Sequence, residues 1–275
     1  MIVTRFAPSP TGLLHLGHAF AAIAAFQEGD DFVLRIEDID RTRSRDEFVE
    51  AIFLDLKWLG LSWDEPVLRQ STRMDAYRAA LGQLGDLTYP CFCTRADIAR
   101  EIAQAGDAPH DSDPHGNTGP LYPGTCRTLA AAERQARMAA DEPYAVRLDV
   151  ARAAALTGPL TFLEHGHRHP VHPGRFGDIV IARKDMPTSY HLSVVVDDAY
   201  QGVNLVTRGE DLLPATHVQR LLQALLSLPE PQYAHHGLIL DEHGRKFSKR
   251  NAAVTLKAMR EAGATPADIR ARIGL

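Results

Sequence analysis

The chain has 275 residues, of which 45% are hydrophobic and 24% charged, with a formal net charge of −5. That length suits one large domain or two modest ones, and the acidic balance excludes a broadly basic nucleic-acid-binding surface, leaving any RNA contact to a local patch. No apolar stretch reaches bilayer length, and Met1 to Arg5 leads straight into a strand with no charged-then-apolar leader, so a cytoplasmic protein without membrane association is expected.

Ile2 to Phe6 reads as a short apolar strand ended by the breakers of Ala7-Pro8-Ser9-Pro10-Thr11-Gly12. Ala19 to Phe26 follows as an Ala-rich helix, and Phe32 to Ile36 as a second strand running into Glu37-Asp38. Phe48, Ile52, Leu56 and Leu59 mark an amphipathic helix that stops at Gly60. Strand, helix, strand, helix in this order predicts α/β architecture with a parallel sheet and right-handed crossovers.

From residue 86 the texture changes, and residues 86–172 read as an insertion between residues 1–85 and 173–245, the two halves of the α/β domain. Alternating Val146, Leu148 and Val150 suggest antiparallel strands within it. The second half is expected to resume with the strand Ile179-Val180-Ile181. A helix near Tyr190 to Ala199, the strand Asn204 to Thr207, a Leu-rich helix through Leu221 to Leu226 and the strand Gly237 to Leu240 follow. Residues 246–275 hold a polar loop and room for one or two small helices, with no further domain.

Cys91, Cys93 and Cys126 are too few for a disulfide framework, and the Cys-x-Cys spacing favours metal ligation. Structural zinc usually takes four ligands, and a strand would send Cys91 and Cys93 to opposite faces, so ligation requires a turn there. The run His165-Gly166-His167-Arg168-His169, with His172 nearby, reads as a solvated turn rather than a second metal site.

His15-Leu16-Gly17-His18 opens the first helix, where free backbone N–H groups and the helix dipole attract anions. Two imidazoles one turn apart can both reach a phosphate, and Gly17 leaves room for a nucleotide ring against the backbone. Lys246-Phe247-Ser248-Lys249-Arg250 reads as a cationic loop suited to a departing pyrophosphate. Each pattern alone has a plainer reading, a capping pair of histidines and a solvated basic loop.

Together they carry a resemblance. Arg5 through His18 resembles the first signature of the class I aminoacyl-tRNA synthetase family in its glutamyl form, and Lys246 to Arg250 looks like the second. Leu34-Arg35-Ile36-Glu37-Asp38-Ile39-Asp40-Arg41 is similar to a further glutamyl-type segment. The resemblance implies a Rossmann-like parallel-sheet catalytic domain with a small zinc-bearing, acceptor-binding insertion. Ligands in such a sheet sit at the carboxyl ends of the strands, where Arg5, Glu37 and Arg208 would converge on a substrate with two carboxylates and one ammonium. With them, the resemblance places Ala7, Ser9 and Tyr190 in an L-glutamate pocket. It places His15, Gly17, His18, Lys246, Ser248 and Lys249 on ATP, which comes with Mg²⁺; His15, His18, Lys246 and Lys249 manage the phosphate charge. Where full-length glutamyl enzymes have an Asn four residues after the tyrosine, this chain has Val194.

The chain also resembles the truncated paralogues of the glutamyl enzymes, whose zinc ligands follow Cys-x-Cys … Tyr-x-x-x-Cys. That pattern falls on Cys91, Cys93, Tyr122 and Cys126, with His110 and His115 as competitors for the fourth position. The paralogues lack an anticodon-binding domain. They activate glutamate without tRNA and transfer it to the queuosine base in the anticodon of tRNA(Asp), and this chain is expected to do so as a monomer. A conventional glutamyl-tRNA synthetase fragment, a catalytically dead RNA-binding paralogue and a nucleotidyl-ligase serving another carrier remain the alternatives.

Overall fold

The structure is a computed structural model and describes residues 1–98, 122–239 and 255–275. The N-terminal unit is β1 (Val3–Phe6), α1 (Leu16–Glu28), β2 (Asp31–Ile36), α2 (Asp46–Trp58) and β3 (Leu68–Arg69). β1, β2 and β3 form a parallel sheet with Val3 opposite Asp31 and Arg35 opposite Leu68. α1 is rich in alanine because it lies close on the sheet: Ala19, Ala22 and Ala25 are fully buried, and Thr4 on β1 hydrogen-bonds to the Ala25 carbonyl at 2.6 Å.

After α3 (Met74–Leu84) come β4 (Thr88–Cys91), α4 (Ala131–Ala139), β5 (Ala145–Leu148) and α5 (Val150–Thr157). Val150, expected in a strand, instead opens a helix, capped by the Asp149 side chain accepting from the Arg152 N–H. β6 (Thr161–Glu164), β7 (His167–Pro170) and β8 (Val180–Arg183) follow, then α6 (Tyr190–Tyr200), β9 (Leu205–Gly209), α7 (Leu213–Leu225) and β10 (Gln232–His236). β8 does not rejoin the parallel sheet: it pairs antiparallel with β5, which pairs antiparallel with β4. The strand expected from Gly237 lies earlier, at β10, and Leu240 falls outside the described residues.

β9, β10 and β6 form a second parallel set, edged by β7. The histidine run is therefore a hairpin strand and not only a turn. His165 and Gly166 form its two-residue connection with φ of 45° and 79°, the positive values a tight hairpin turn requires. The two parallel sheets meet at β1 and β9, where Asn204 accepts from the Val3 N–H through its side chain at 2.8 Å and donates its own N–H to Val3 O at 3.1 Å. Here the chain order reverses, the position at which open α/β sheets bind ligands.

The C-terminal helices α8 (Leu256–Glu261) and α9 (Pro266–Ile273) fold back over the N-terminal unit. Leu256, Ile269 and Ile273 share a core with Leu14, Leu16 and Ile23, and Arg260 reaches the buried Asp55 of α2 at 3.2 Å.

Candidate active site and metal centre

α1 begins at His15, whose ring centroid lies 3.8 Å from that of His18. The His15 backbone N–H donates to His18 Nδ1 at 3.2 Å, so the pair shapes the helix start and presents two imidazoles at its N-terminal end. Gly17 matters for a further reason. A Cβ there would stand 3.2 Å from His15 Cε1, pressing on the imidazole itself.

Lys246, Ser248 and Lys249 lie outside the described residues, as do His110 and His115. The described flanks of the basic segment do reach the first signature: Leu256 donates its N–H to Leu14 O at 2.8 Å, His15 bridges to Thr255, and Ile239 packs on the same core.

Arg5, Glu37 and Arg208 stand at or near the ends of β1, β2 and β9, and all three are buried. They are joined by residues that the sequence reading passed over. Asp198 of α6 takes Arg5 Nε at 3.3 Å and Arg35 Nη2 at 2.7 Å, and Arg35 Nη2 also lies 3.5 Å from Glu37 Oε1. Arg5 Nη1 donates to Thr207 O at 2.9 Å, spanning the junction between the sheets. Burial opposes ionisation of Asp198, yet Arg5 and Arg35 outweigh it and hold the carboxyl below its usual range. Burial pushes Glu37 up to about 7, against the pull of Arg35 and Arg5. The neighbouring Asp197 is held by other partners: Arg73 meets it at 2.7 Å and Tyr77 and Gln70 donate to it.

Among the described residues, Arg208 has only neutral hydrogen-bond partners: His235, Gln219, Thr216 and Tyr190 at 3.0, 2.8, 2.8 and 3.4 Å. Arg5, Arg35 and Arg208 face the buried carboxyls of Asp198 and Glu37, and Arg208 reaches a third, Glu164, only through the intervening His235. A buried guanidinium with neutral partners is matched best by an anion entering from solvent. Ala7 and Ser9 line the turn above, and Glu37 donates its N–H to Pro8 O at 3.1 Å, drawing that turn against the end of β2. Val194 points its bulk into the apolar cluster with Leu192 and Val195 and adds no polar contact.

The cysteines converge. β4 ends at Cys91, so Cys93 lies beyond the strand and both sulfurs can turn to one side. The three Sγ atoms lie within 4.8 Å of one another, with Cys93 and Cys126 3.5 Å apart and Tyr122 Oη 3.8 Å from Cys93 Sγ. Sulfurs about 2.3 Å from a tetrahedral zinc stand about 3.8 Å apart, and Cys93 and Cys126 already stand near that spacing, while Tyr122 Oη accepts the Cys126 N–H at 2.7 Å. Arg147 lies 3.8 Å from the centre of the Tyr122 ring, and the buried Asp178 ties together Arg127, the Val150 N–H and Tyr89 beneath the cluster. It is the one group with metal-ligand geometry among the described residues, and the histidine hairpin forms none.

The family model for tRNA synthetases class I (E and Q), catalytic domain, matches residues 1–275. The chain belongs to this family. With it comes membership of the ATP-dependent ligases. It is 49% identical to the glutamyl-Q tRNA(Asp) synthetase of Rhodobacter capsulatus, covering 100% of both chains. It is 41% identical to the glutamate–tRNA ligase of Aquifex aeolicus, covering 96% of this chain but 55% of that one. Among solved structures, a glutamate tRNA ligase from Elizabethkingia meningosepticum in complex with its amino acid superposes with a TM-score of 0.72 at 28% identity, over 96% of this chain and 53% of the other. No helix among the described residues is long and apolar enough to cross a membrane.

Proposed function

We propose that the protein activates L-glutamate with Mg·ATP to glutamyl-adenylate without tRNA, then transfers glutamate to the queuosine base of tRNA(Asp). The observation that carries this reading is the buried Arg208, which among the described residues has no carboxylate in direct contact, set with Arg5 and Glu37 at the junction of the sheets. Glutamate, with two carboxylates and one ammonium, offers one group to each of Arg5, Arg208 and Glu37. In this reading Arg5 and Arg208 receive substrate carboxylates, Glu37 receives the ammonium, and Tyr190, Ser9 and Ala7 shape the walls. The full-length relative from Rhodobacter capsulatus supports the choice of acceptor.

An oxygen of the glutamate α-carboxylate attacks the α-phosphorus of ATP. The new C–O–P bond forms as the bond to the β-phosphate oxygen breaks, and pyrophosphate leaves with that electron pair. No proton moves, so the task is positioning and charge stabilisation rather than base catalysis. His15 and His18 serve the phosphates from the start of α1, and Lys246 and Lys249 neutralise the departing pyrophosphate. In the second step a hydroxyl of the queuosine diol attacks the mixed anhydride carbonyl, the C–O bond to the phosphate breaks, and AMP leaves, its phosphate taking up the hydroxyl proton. Zinc, held by Cys91, Cys93, Tyr122 and Cys126, would supply a structural cross-link beneath the acceptor side. Anticodon loops suit such an enzyme because their bases can splay out.

The test is glutamate-dependent ATP–pyrophosphate exchange without tRNA, followed by transfer to tRNA(Asp) with and without queuosine. The likeness to the Aquifex aeolicus ligase favours tRNA(Glu) as the second candidate acceptor. Charging of tRNA(Glu), or exchange that requires tRNA, would replace the reading with that of a conventional glutamyl enzyme.

A further inference from the structure

Behind Arg208 lies a pair of buried polar groups that the chemistry above does not use. Glu164 ends β6 and His235 lies in β10, directly opposite Arg208 in the ladder with β9. Both are only 8% exposed, in a place where apolar residues would cost far less to bury. Arg208 Nε–H donates to His235 Nε2 at 3.0 Å. A ring nitrogen that accepts from a guanidinium carries no proton, so the imidazole proton sits on Nδ1. There it meets Glu164 Oε2 at 2.8 Å, while Glu164 Oε1 accepts the His235 backbone N–H at 2.9 Å.

The chain of donors and acceptors therefore runs in one direction, from Arg208 through His235 to Glu164. Burial and the Arg208 cation hold His235 down at about 4 against the pull of Glu164, so the accepting nitrogen persists at neutral pH. Gln219 and Thr216 grip the two terminal nitrogens from the other side. The guanidinium plane is fixed along both edges.

We propose that Glu164 and His235 are positioning residues. Glu164 fixes the imidazole tautomer, and His235 fixes the plane in which Arg208 offers its fork to a substrate carboxylate. This rests on the reading of Arg208 as a carboxylate-binding residue. Correct placement of a fork matters because a bidentate pair loses most of its advantage when one donor swings out of line.

The experiment is ATP–pyrophosphate exchange with the zinc-loaded, full-length enzyme. His235→Asn keeps a donor toward Glu164 but removes the acceptor for Arg208, whereas His235→Gln can bring an amide oxygen to the Nε2 position. H235N is expected to raise the KM for glutamate about tenfold, the scale of one charge-assisted hydrogen bond, with the KM for ATP unchanged. H235Q should recover most of that loss. Should H235N fail to fold, Glu164→Asp, which withdraws the carboxylate but spares the ring, carries the same expectation of a selective rise in glutamate KM. Equal effects of H235N and H235Q, or parallel rises in both KM values, overturn the positioning role. Arg208→Ala separates the two ideas. If it leaves glutamate KM unchanged, the pocket reading fails. If it raises KM while H235N and E164D do not, only the positioning role fails.

Discussion

Glutamate binding should be linked to a proton through Glu37. Burial takes the carboxyl from an ordinary 4.5 to about 7, despite Arg35 and Arg5. That distance corresponds to about 3 kcal/mol of lost preference for the ionised form. Because the folded-state value is raised, the free enzyme holds this proton below pH 7. The group's contribution to stability is fully present below 4.5 and lost as pH rises through 7. Substrate binding has the opposite requirement: an ammonium pairs with the carboxylate and not with the acid. At pH 6 about one-tenth of the free enzyme would be ionised and at pH 8 about nine-tenths, so glutamate KM should be about tenfold higher at pH 6. Binding at pH 6 should release close to one proton per glutamate, falling to about a tenth at pH 8. Calorimetry in buffers of different ionisation enthalpy counts these protons, and exchange assays across the range give KM. Glu37→Gln should bind more weakly at pH 8 and lose the pH dependence. A flat glutamate KM between pH 6 and 8, or the same slope in the Gln variant, refutes the assignment of Glu37 to the ammonium.

Lys249→Ala should slow pyrophosphate exchange by about a hundredfold at saturating ATP, about 3 kcal/mol for a donor used in the transition state, with glutamate binding little changed. A loss under about tenfold would remove the loop from its role. Fresh, chelator-free protein should contain one zinc per chain, and Cys126→Ser should lose it while calorimetry still shows the cooperative transition of the parallel core. Zinc retained by Tyr122→Phe would move the fourth ligand elsewhere. An isolated anticodon stem-loop carrying queuosine should be glutamylated nearly as well as whole tRNA(Asp), and periodate cleavage of the diol should abolish acceptance; an inert stem-loop would extend recognition to the rest of the tRNA.

The parts of this protein that were legible in the sequence are those governed by local periodicity. An apolar run, a set of breakers and an Ala-rich helix define β1, the turn and α1 because each pattern decides its own conformation. Strand partnership is not local. Ile179-Val180-Ile181 marks a buried strand, but nothing in it says that β8 will join β5 antiparallel rather than the parallel sheet. β7 shows no alternation at all. Its residues His167 to Pro170 are fully on the surface, and the strand exists because a two-residue turn and pairing with β6 hold it.

The site divides in the same way. Arg5, Glu37 and Arg208 could be picked out because topology fixes which end of a parallel strand meets ligand. Asp198, Arg35 and His235 could not be assigned from neighbours, since Asp198 lies 193 and 163 residues from the arginines it binds. A signal was present nonetheless. Val194 to Ala199 reads Val-Val-Val-Asp-Asp-Ala, two carboxylates set in a helix otherwise apolar enough to be buried. A carboxylate in such a place must find a cation, because leaving it unpaired costs more than any helix packing returns. The cations with the same problem were visible too: Arg5 lies within one apolar strand and Arg35 within another, each bound for the interior. The acid on α6 and the bases on β1 and β2 solve one another's burial, and in doing so they lock the two halves of the sheet together. Arg208 is placed differently: its direct partners across the sheet are a neutral histidine and two neutral side chains of α7, with the Glu164 carboxylate one residue further back. Among the described residues the fold leaves that one guanidinium without a carboxylate in direct contact at the junction where the strands end, and this suits the junction to a substrate carboxylate rather than to a closed ion-pair network.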